Sequence, residues 1–263
     1  MSHLKYWVWL STRRGLAGVT MQRVLDHFGG PERVYYAHAK DVDELTELSG
    51  LARSSLKDKS MREVERILDR CDQLGIRVMT RQDAVYPQRL ENIPQPPLVL
   101  YAKGRPISLD DQVAIAMVGT RKMTPYGKKV AVDFGTQLAR AGICVISGMA
   151  VGVDIMSMKA ALKAGGYVIG VLGCGIDVNY PAENAKMKEL VSKYGCIVTE
   201  YPPGTGPWKG NFPARNRLIS GLSLGTLVIQ APKHSGSLIT ADDALEQGKD
   251  LFVVPAPLYD PTV

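Results

Sequence analysis

Two arginines and an asparagine stand side by side at Arg215, Asn216 and Arg217, directly before the apolar run Leu218–Leu222. The run predicts a short helix that packs inward, so the three polar residues fall in its first turns. A helix start attracts anions, because its free backbone N–H groups and its dipole are positive there. The two arginines lie about 200° apart around such a helix. One of them could therefore have a structural role. The tripeptide could also be a solvated turn in which an arginine pairs with a carboxylate.

The segment before this helix, Glu200–Phe212, predicts a surface loop because it is rich in proline and glycine. Trp208, Lys209 and Phe212 interleave a cation with two aromatic rings. A nucleic-acid groove uses this combination to join phosphate attraction to base stacking. Either ring could instead fix the loop to the core. We predict that Lys209 and Phe212 contact a nucleic-acid strand.

Glycines, hydroxyl groups and cations also follow three of the apolar runs that predict strands in the second part of the chain. Each such turn alone is a routine connection between a strand and a helix. Several on one sheet edge suit a ligand with successive phosphates, because each turn offers N–H groups or a cation to one anion. The predicted contacts are Gly119, Thr120, Arg121 and Lys122 after the first strand, Ser147 and Gly148 after the second, and Ser235, Gly236, Ser237 and Thr240 after the fifth. A similar turn, Gly173–Pro181, follows the third strand.

Composition favours a polyanionic partner and argues against several other classes. The 263 residues carry a formal net charge of +6, and 45% of them are hydrophobic. The four cysteines show no paired metal-ligand spacing and predict buried thiols in a reducing cytosol. No run reaches transmembrane length, and the four scattered histidines suggest no catalytic residue. We therefore expect a cytoplasmic protein that is not an enzyme and has no membrane contact, metal or cofactor.

Six short apolar runs separated by amphipathic segments predict the fold of the second part of the chain. Continuously apolar strands that alternate with helices are typical of a parallel sheet covered on both faces. We predict a Rossmann-like doubly wound α/β domain, in which ligands bind at the carboxyl ends of the strands. The predicted strands are 113–118, 143–147, 167–172, 196–199, 226–230 and 251–254, and the clearest helices are 128–141, 154–164 and 183–194.

Composition also divides the chain into three parts. Residues 1–82 predict a small all-α domain, whose glycine turns Gly15–Thr20 and Leu48–Leu51 are similar to the hairpin of a SAM-like or helix-hairpin-helix module. Such turns could present N–H groups to phosphate, although they also join helices for geometric reasons alone. Residues 83–112 are rich in proline and predict a connecting segment with one strand-like run. Residues 113–263 form the predicted Rossmann-like domain.

Taken together, these motifs resemble the DprA (Smf) family of bacterial DNA uptake and recombination. The resemblance implies a SAM-like domain followed by an extended Rossmann domain that binds and protects single-stranded DNA. It further implies a homodimer that helps to load the RecA recombinase in natural transformation and recombination. It puts the DNA in a pocket between the glycine loop after the first strand and the segment of Lys209, Phe212 and Arg215. The motifs that carry it are Val113–Arg121, Ser147–Asp154, Gly175–Asn184, Phe212–Arg217 and Ser235–Ala241.

The chain departs from the family pattern at three places. Met158 stands where the family commonly has histidine, so no proton-transfer or metal role is carried to that position. Val153 replaces an isoleucine, which is a mild change. The chain reads Ala256-Pro257 where the family has glycine and continues toward a small winged-helix domain. We expect that C-terminal module to be absent or trimmed.

Two enzyme classes are the alternatives. The lysine-decarboxylase-like phosphoribohydrolases resemble this domain, but they need a Pro-Gly-Gly-x-Gly-Thr loop followed by a catalytic glutamate. The corresponding loop here, Ala231–Ser237, has no Gly-Gly pair and no glutamate at its start. A NAD-dependent enzyme would need a GxGxxG turn after the first strand and a suitably placed acidic residue after the second, and neither is present.

Overall fold

The computed structural model describes residues 3–16, 18–106 and 108–256. The chain forms two compact units, Met1–Tyr86 with Pro94–Leu100, and Pro87–Ile93 with Tyr101–Val263. Ala17, in the predicted turn Gly15–Thr20, and residues 257–263, at the end of the predicted Rossmann-like domain, lie outside the described residues. The unit boundaries differ from the predicted division at residues 82 and 112, because the chain passes from one unit to the other more than once.

The first unit is largely helical. Glycine ends two of its helices in the left-handed conformation, Gly29 at φ 77° and Gly75 at φ 61°. Ser49 caps another, because its Oγ accepts the N–H of Ala52 at 3.1 Å. Trp9 is fully buried in this unit. Its described elements are α1 (Leu4–Ser11), α2 (Val19–Phe28), α3 (Pro31–Tyr36), α4 (Ala39–Asp43), α5 (Gly50–Lys57), α6 (Arg62–Leu74) and β1 (Arg77–Thr80).

The second unit alternates strands with helices, as predicted. Its described helices are α7 (Gln88–Glu91), α8 (Pro125–Arg140), α9 (Val153–Lys163), α10 (Ala185–Tyr194), α11 (Asn211–Gly221) and α12 (Gly236–Glu246). Its described strands are β2 (Val99–Gly104, with the first two residues in the first unit), β3 (Ala114–Val118), β4 (Cys144–Ser147), β5 (Val168–Val171), β6 (Cys196–Thr199), β7 (Gly225–Val228) and β8 (Asp250–Val253). The six predicted strands correspond to β3–β8.

The sheet has the strand order β1-β2-β6-β5-β4-β3-β7-β8. Strands β3 to β8 are parallel to one another, and β4, β5 and β6 are buried along their whole length. The predicted doubly wound α/β fold is therefore confirmed. The chain moves outward from β3 to β6 and then returns to the other side of β3 with β7 and β8. In such sheets, ligands bind at the carboxyl ends of the strands where the order reverses, here between β3 and β7.

Three elements, α7, β2 and α8, differ from the predicted ones. The connecting segment 83–112 contains α7 and β2, and β2 pairs antiparallel with β6, with Tyr101 opposite Thr199. Helix α8 begins earlier than predicted, at Pro125. The reason is a local cap, because the Oγ1 of Thr124 accepts the N–H of Gly127 at 3.1 Å and proline is well suited to the first helical position. All four cysteines are buried thiols, as predicted.

Candidate functional site

A groove of about 860 Å³ opens where the carboxyl ends of β3 and β7 meet the starts of α11 and α12. It gathers most of the predicted contacts, although they come from segments far apart in the chain. The predicted residues that line it are Gly119, Thr120, Arg121, Lys122, Lys209, Phe212, Arg215, Asn216, Ser235, Gly236, Ser237 and Thr240. The remaining predicted contacts, Ser147, Gly148 and Arg217, do not line it.

The loop between β3 and α8 carries two of the groove's cations. Arg121 and Lys122 are both exposed. Gln230, beyond β7, holds the loop at both ends: its carbonyl accepts the N–H of Thr120 at 2.7 Å, and its Oε1 accepts the N–H of Thr124 at 3.0 Å. Thr120 itself is buried, and its Oγ1 accepts the N–H of Lys122 at 3.1 Å. The loop therefore presents two cations from a fixed backbone.

Arg215 lies beneath the groove and is only 5% exposed. Its Nη1 donates to the carbonyls of Gly148, at 3.0 Å, and Val171. The Oδ2 of Asp154 accepts the N–H of Gly148 at 3.1 Å and that of Ala150 at 3.3 Å. Gly148 separates the two charges so closely that a Cβ there would lie 2.9 Å from both Arg215 Nη2 and Asp154 Oδ2. Arg215 thus braces the turns after β4 and β5, and its charge stands under the groove.

Burial dominates the electrostatics of this pair. It raises the pKa of the Asp154 carboxyl to about 6, against the charge of Arg215 and the two N–H donors. Burial also lowers the pKa of the Arg215 guanidinium, against the charge of Asp154. Asp154 was not among the predicted site residues. Its sequence signals are its position at the start of the helix after Gly148–Gly152 and its place at the end of the motif Ser147–Asp154.

Arg217 is engaged outside the groove. Its Nη1 and Nη2 donate to Oε1 and Oε2 of Glu200 at 2.6 and 2.7 Å, a bidentate ion pair in which the two side chains are 16% and 19% exposed. The structure therefore does not bring Arg217, a predicted DNA contact, to the other predicted contacts. The carboxylate pair left open for this tripeptide is present.

Ser147 and Gly148 also have structural partners. Ser147 is fully buried, and its Oγ donates to the carbonyl of Met117 at 2.6 Å, which ties β4 to β3. The N–H and the carbonyl of Gly148 are taken by Asp154 and Arg215. Neither residue presents a polar group to the groove in the way that the sequence pattern predicts.

The start of α12 forms another wall of the groove. Ser235 caps the helix, because its Oγ accepts the N–H of Ser237 at 3.3 Å and lies 2.7 Å from that residue's Oγ. Nδ2 of Asn216 donates to the carbonyl of Gly236 at 3.3 Å and so joins α11 to α12. Thr240 is buried in the same wall, with 1% of its surface exposed. The positive end of α12 therefore borders the groove.

Two aromatic rings meet at the groove. The centroids of Phe212 and Tyr180 lie 5.1 Å apart, with 38° between the ring planes. Phe212 is half-buried and packs on Gly173, where a Cβ would lie 2.9 Å from Phe212 Cδ1. Tyr180 is 40% exposed and was not among the predicted contacts, although it belongs to the motif Gly175–Asn184. Trp208 is 72% exposed and does not line the groove, so of the interleaved residues Trp208, Lys209 and Phe212 only the last two do.

The described residues contain neither a cluster of metal ligands nor a membrane-spanning helix. Among residues 3–16, 18–106 and 108–256, no group of three or more His, Cys, Asp or Glu side chains could hold a metal ion. In that same part of the chain, no helix has the length and apolar character needed to cross a bilayer.

Comparison with known proteins gives consistent matches. The family model of DNA recombination-mediator protein A matches residues 77–263. The DNA processing protein DprA of Bacillus subtilis is 43% identical over 196 residues, 74% of this chain and 66% of that protein. Protein Smf of Synechocystis sp. is 34% identical over 258 residues, 97% of this chain and 65% of that protein. The chain therefore spans about two thirds of the length of these curated relatives.

Solved structures agree. The X-ray structure of DprA from Streptococcus pneumoniae matches with a TM-score of 0.84 and 29% identity, over 98% of this chain and 89% of that one. A structure of DNA processing protein A from Helicobacter pylori, described for its single-stranded DNA binding mode, matches with a TM-score of 0.64 and 34% identity, over 70% of this chain and 83% of that one. The resemblance drawn from the motifs is confirmed: the chain belongs to the DNA recombination-mediator protein A family, that of DprA and Smf.

Proposed function

We propose that the groove binds single-stranded DNA. One observation carries the proposal: the exposed cations Arg121, Lys122 and Lys209 line the same groove as the half-buried ring of Phe212. Grooves that bind single strands typically combine cations, which contact the phosphates, with aromatic rings, on which the bases stack. The H. pylori relative, described for its single-stranded DNA binding mode, supports the same assignment.

A strand fits these cations better than a mononucleotide does. Arg121 and Lys122 come from the loop after β3, whereas Lys209 comes from the loop before α11. Cations on two separate loops can meet successive phosphates of one backbone. The positive starts of α11 and α12 add to the same field. Arg215, largely buried in the lining of the groove, adds its positive charge.

The groove offers little for hydrolysis, which favours a mediator over an enzyme. Among its described lining residues, the one carboxylate is Asp154, which is 6% exposed and accepts two backbone N–H groups. A general acid or base must reach the proton that it transfers. A carboxylate held in this way is poorly placed for the phosphoribohydrolase chemistry that is the alternative.

A salt titration tests the proposal. Binding of a fluorescent single-stranded oligonucleotide should weaken with salt at a log–log slope of about −2, from about −0.7 for each of three phosphates. A nucleoside monophosphate should compete poorly. A slope near zero, or equally tight binding of the monophosphate with release of its base, would favour the nucleotide-processing alternative.

We further propose that the protein acts as a homodimer that protects single-stranded DNA and promotes RecA loading in recombination or natural transformation. Family membership supports this part. Light scattering should give twice the mass of the chain, and substoichiometric protein should shorten the lag of RecA assembly on covered single strands. A monomeric mass at micromolar concentration, or an unchanged lag, would refute the corresponding part.

A further inference from the structure

Trp208 leaves 72% of its surface exposed, although tryptophan is on average a well-buried residue. It stands between Pro207 and Lys209, which both line the groove, whereas Trp208 itself does not. Its backbone therefore lies at the rim of the groove, with the indole ring outside. A strand that leaves the groove past Lys209 comes within reach of this ring.

The backbone that carries Trp208 is fixed in the free protein. The N–H of Trp208 donates to the carbonyl of Gly206 at 3.0 Å, and its carbonyl accepts the N–H of Asn211 at 3.0 Å. The carbonyl of Thr205 accepts the N–H of Gly175 at 2.9 Å, which ties the loop to the turn after β5. The ring is thus presented from a preorganised loop, and little backbone freedom is lost when a ligand contacts it.

Gly206 leaves the ring open to solvent. A Cβ at Gly206 would lie 3.7 Å from Nε1 and 4.0 Å from Cε2 of Trp208, so the indole sits beside this glycine at ordinary contact distance. Because Gly206 has no side chain, nothing projects from it over the ring. An exposed aromatic face of this kind can stack on a nucleobase.

The charges around the ring favour a polyanion over an acidic or apolar protein surface. Lys209 is the next residue, Arg215 and Arg217 follow, and no Asp or Glu occurs between positions 201 and 217. Glu200, directly before this segment, is paired with Arg217. A cation beside an exposed ring matches a ligand that alternates phosphates with flat bases.

We propose that Trp208 is a stacking platform for one base of the bound strand outside the groove, with Lys209 at the phosphate between that base and the groove. The inference rests on single-strand binding in the groove and extends the path of the strand onto the loop before α11. Every base has a flat face, so the platform should act with little sequence preference.

Intrinsic fluorescence reports on this ring directly, because the other two tryptophans, Trp7 and Trp9, are 6% and 0% exposed. In the free protein, the emission that acrylamide quenches should therefore come from Trp208. Saturation with oligo-dT or oligo-dA of about 15 nucleotides should quench the same emission through stacking. An abasic deoxyribose-phosphate strand of equal length should bind through its phosphates and quench little.

Trp208→Ala is the decisive variant. It should weaken oligo-dT binding by about tenfold, which corresponds to one stacked base, and leave abasic binding within about twofold. It should also keep the salt slope of the wild type, because the ring neutralises no phosphate. Trp208→Phe should remove the acrylamide-accessible emission and keep oligo-dT binding within about threefold, since its ring can still stack.

Tyr194→Ala is the matched control, because Tyr194 is an aromatic residue of α10 that is 47% exposed and does not line the groove. It should bind oligo-dT like the wild type. Thermal melts establish that each variant is folded.

The outcomes separate the platform from the groove. If the wild-type protein binds none of the strands, the proposed function fails and the platform fails with it. If binding responds to salt while emission stays constant and folded Trp208→Ala binds oligo-dT like the wild type, only the platform is refuted. An equal loss for oligo-dT and the abasic strand also refutes it. If Trp208→Ala lowers the mass in light scattering and leaves DNA binding unchanged, the ring belongs to a protein interface and the proposal is overturned.

Discussion

Replacing Arg217 with methionine distinguishes an arginine that binds DNA from one that supports the fold. The pattern Arg-Asn-Arg predicts a phosphate contact, but the guanidinium makes a bidentate pair with Glu200 in which both side chains are largely buried. A solvent-exposed pair contributes about 0 to 1 kcal/mol, and breaking a buried pair costs about 3 to 5 kcal/mol. With 16% and 19% of the side chains exposed, the pair lies between these limits. We expect Arg217→Met to lower the free energy of unfolding by about 1 to 3 kcal/mol.

The assays are urea unfolding and a salt series with a single-stranded oligonucleotide. Arg217→Met should keep the salt slope of the wild type, whereas the matched variant Lys209→Met should flatten it by about 0.7 and leave the free energy of unfolding unchanged. A double-mutant cycle with Glu200→Gln should show coupling, because each single change leaves a partly buried partner behind. The reasoning is refuted if Arg217→Met flattens the slope as Lys209→Met does while unfolding at the wild-type urea concentration.

Three further changes test the site. Phe212→Ala should weaken oligonucleotide binding by about 1 to 3 kcal/mol in an anisotropy titration, with a melting temperature close to that of the wild type; a large drop in melting temperature with normal binding would make Phe212 a core residue. Asp154→Ala should lower the free energy of unfolding, measured in urea, by about 3 to 5 kcal/mol, because it leaves Arg215 buried without its counter-charge. A loss below about 1 kcal/mol would mean that hydrogen bonds to the backbone carbonyls are enough to stabilise the buried guanidinium. A fragment from residue 87 onward should bind the oligonucleotide within about tenfold of the whole chain, a difference of about 1.4 kcal/mol. If the fragment folds but does not bind the oligonucleotide, the binding site lies elsewhere in the chain.

Local patterns were sufficient for the strands and for the position of the groove. Each of β3 to β8 is a short apolar run, and the carboxyl ends of parallel strands must meet at one edge. That rule alone brings Arg121, after β3, toward Ser235, after β7. The same reasoning could not find β2 as a sheet strand, because its pairing with β6 depends on residues about a hundred positions away.

The roles of Arg215 and Arg217 could not be predicted from local sequence patterns. Arg215 is buried because it donates to the carbonyls of Gly148 and Val171, at the ends of β4 and β5, and Arg217 lies outside the groove because it pairs with Glu200. Such pairs are set by tertiary geometry, whereas the helical wheel only shows that the two side chains diverge. Tyr180 was not predicted as a contact for the same reason, since its ring packs against Phe212, which lies 32 positions further along the chain.

The hydrogen bonds between Gln230 and the loop after β3 affect how tightly a strand can bind. A loop free to sample many conformations would lose that freedom on contact with DNA, and each immobilised side chain or segment would subtract from the affinity. Here the backbone that carries Arg121 and Lys122 is already fixed by Gln230 in the free protein. The entropy of ordering this loop is lost during folding, so on binding it is chiefly the flexible strand that must become ordered.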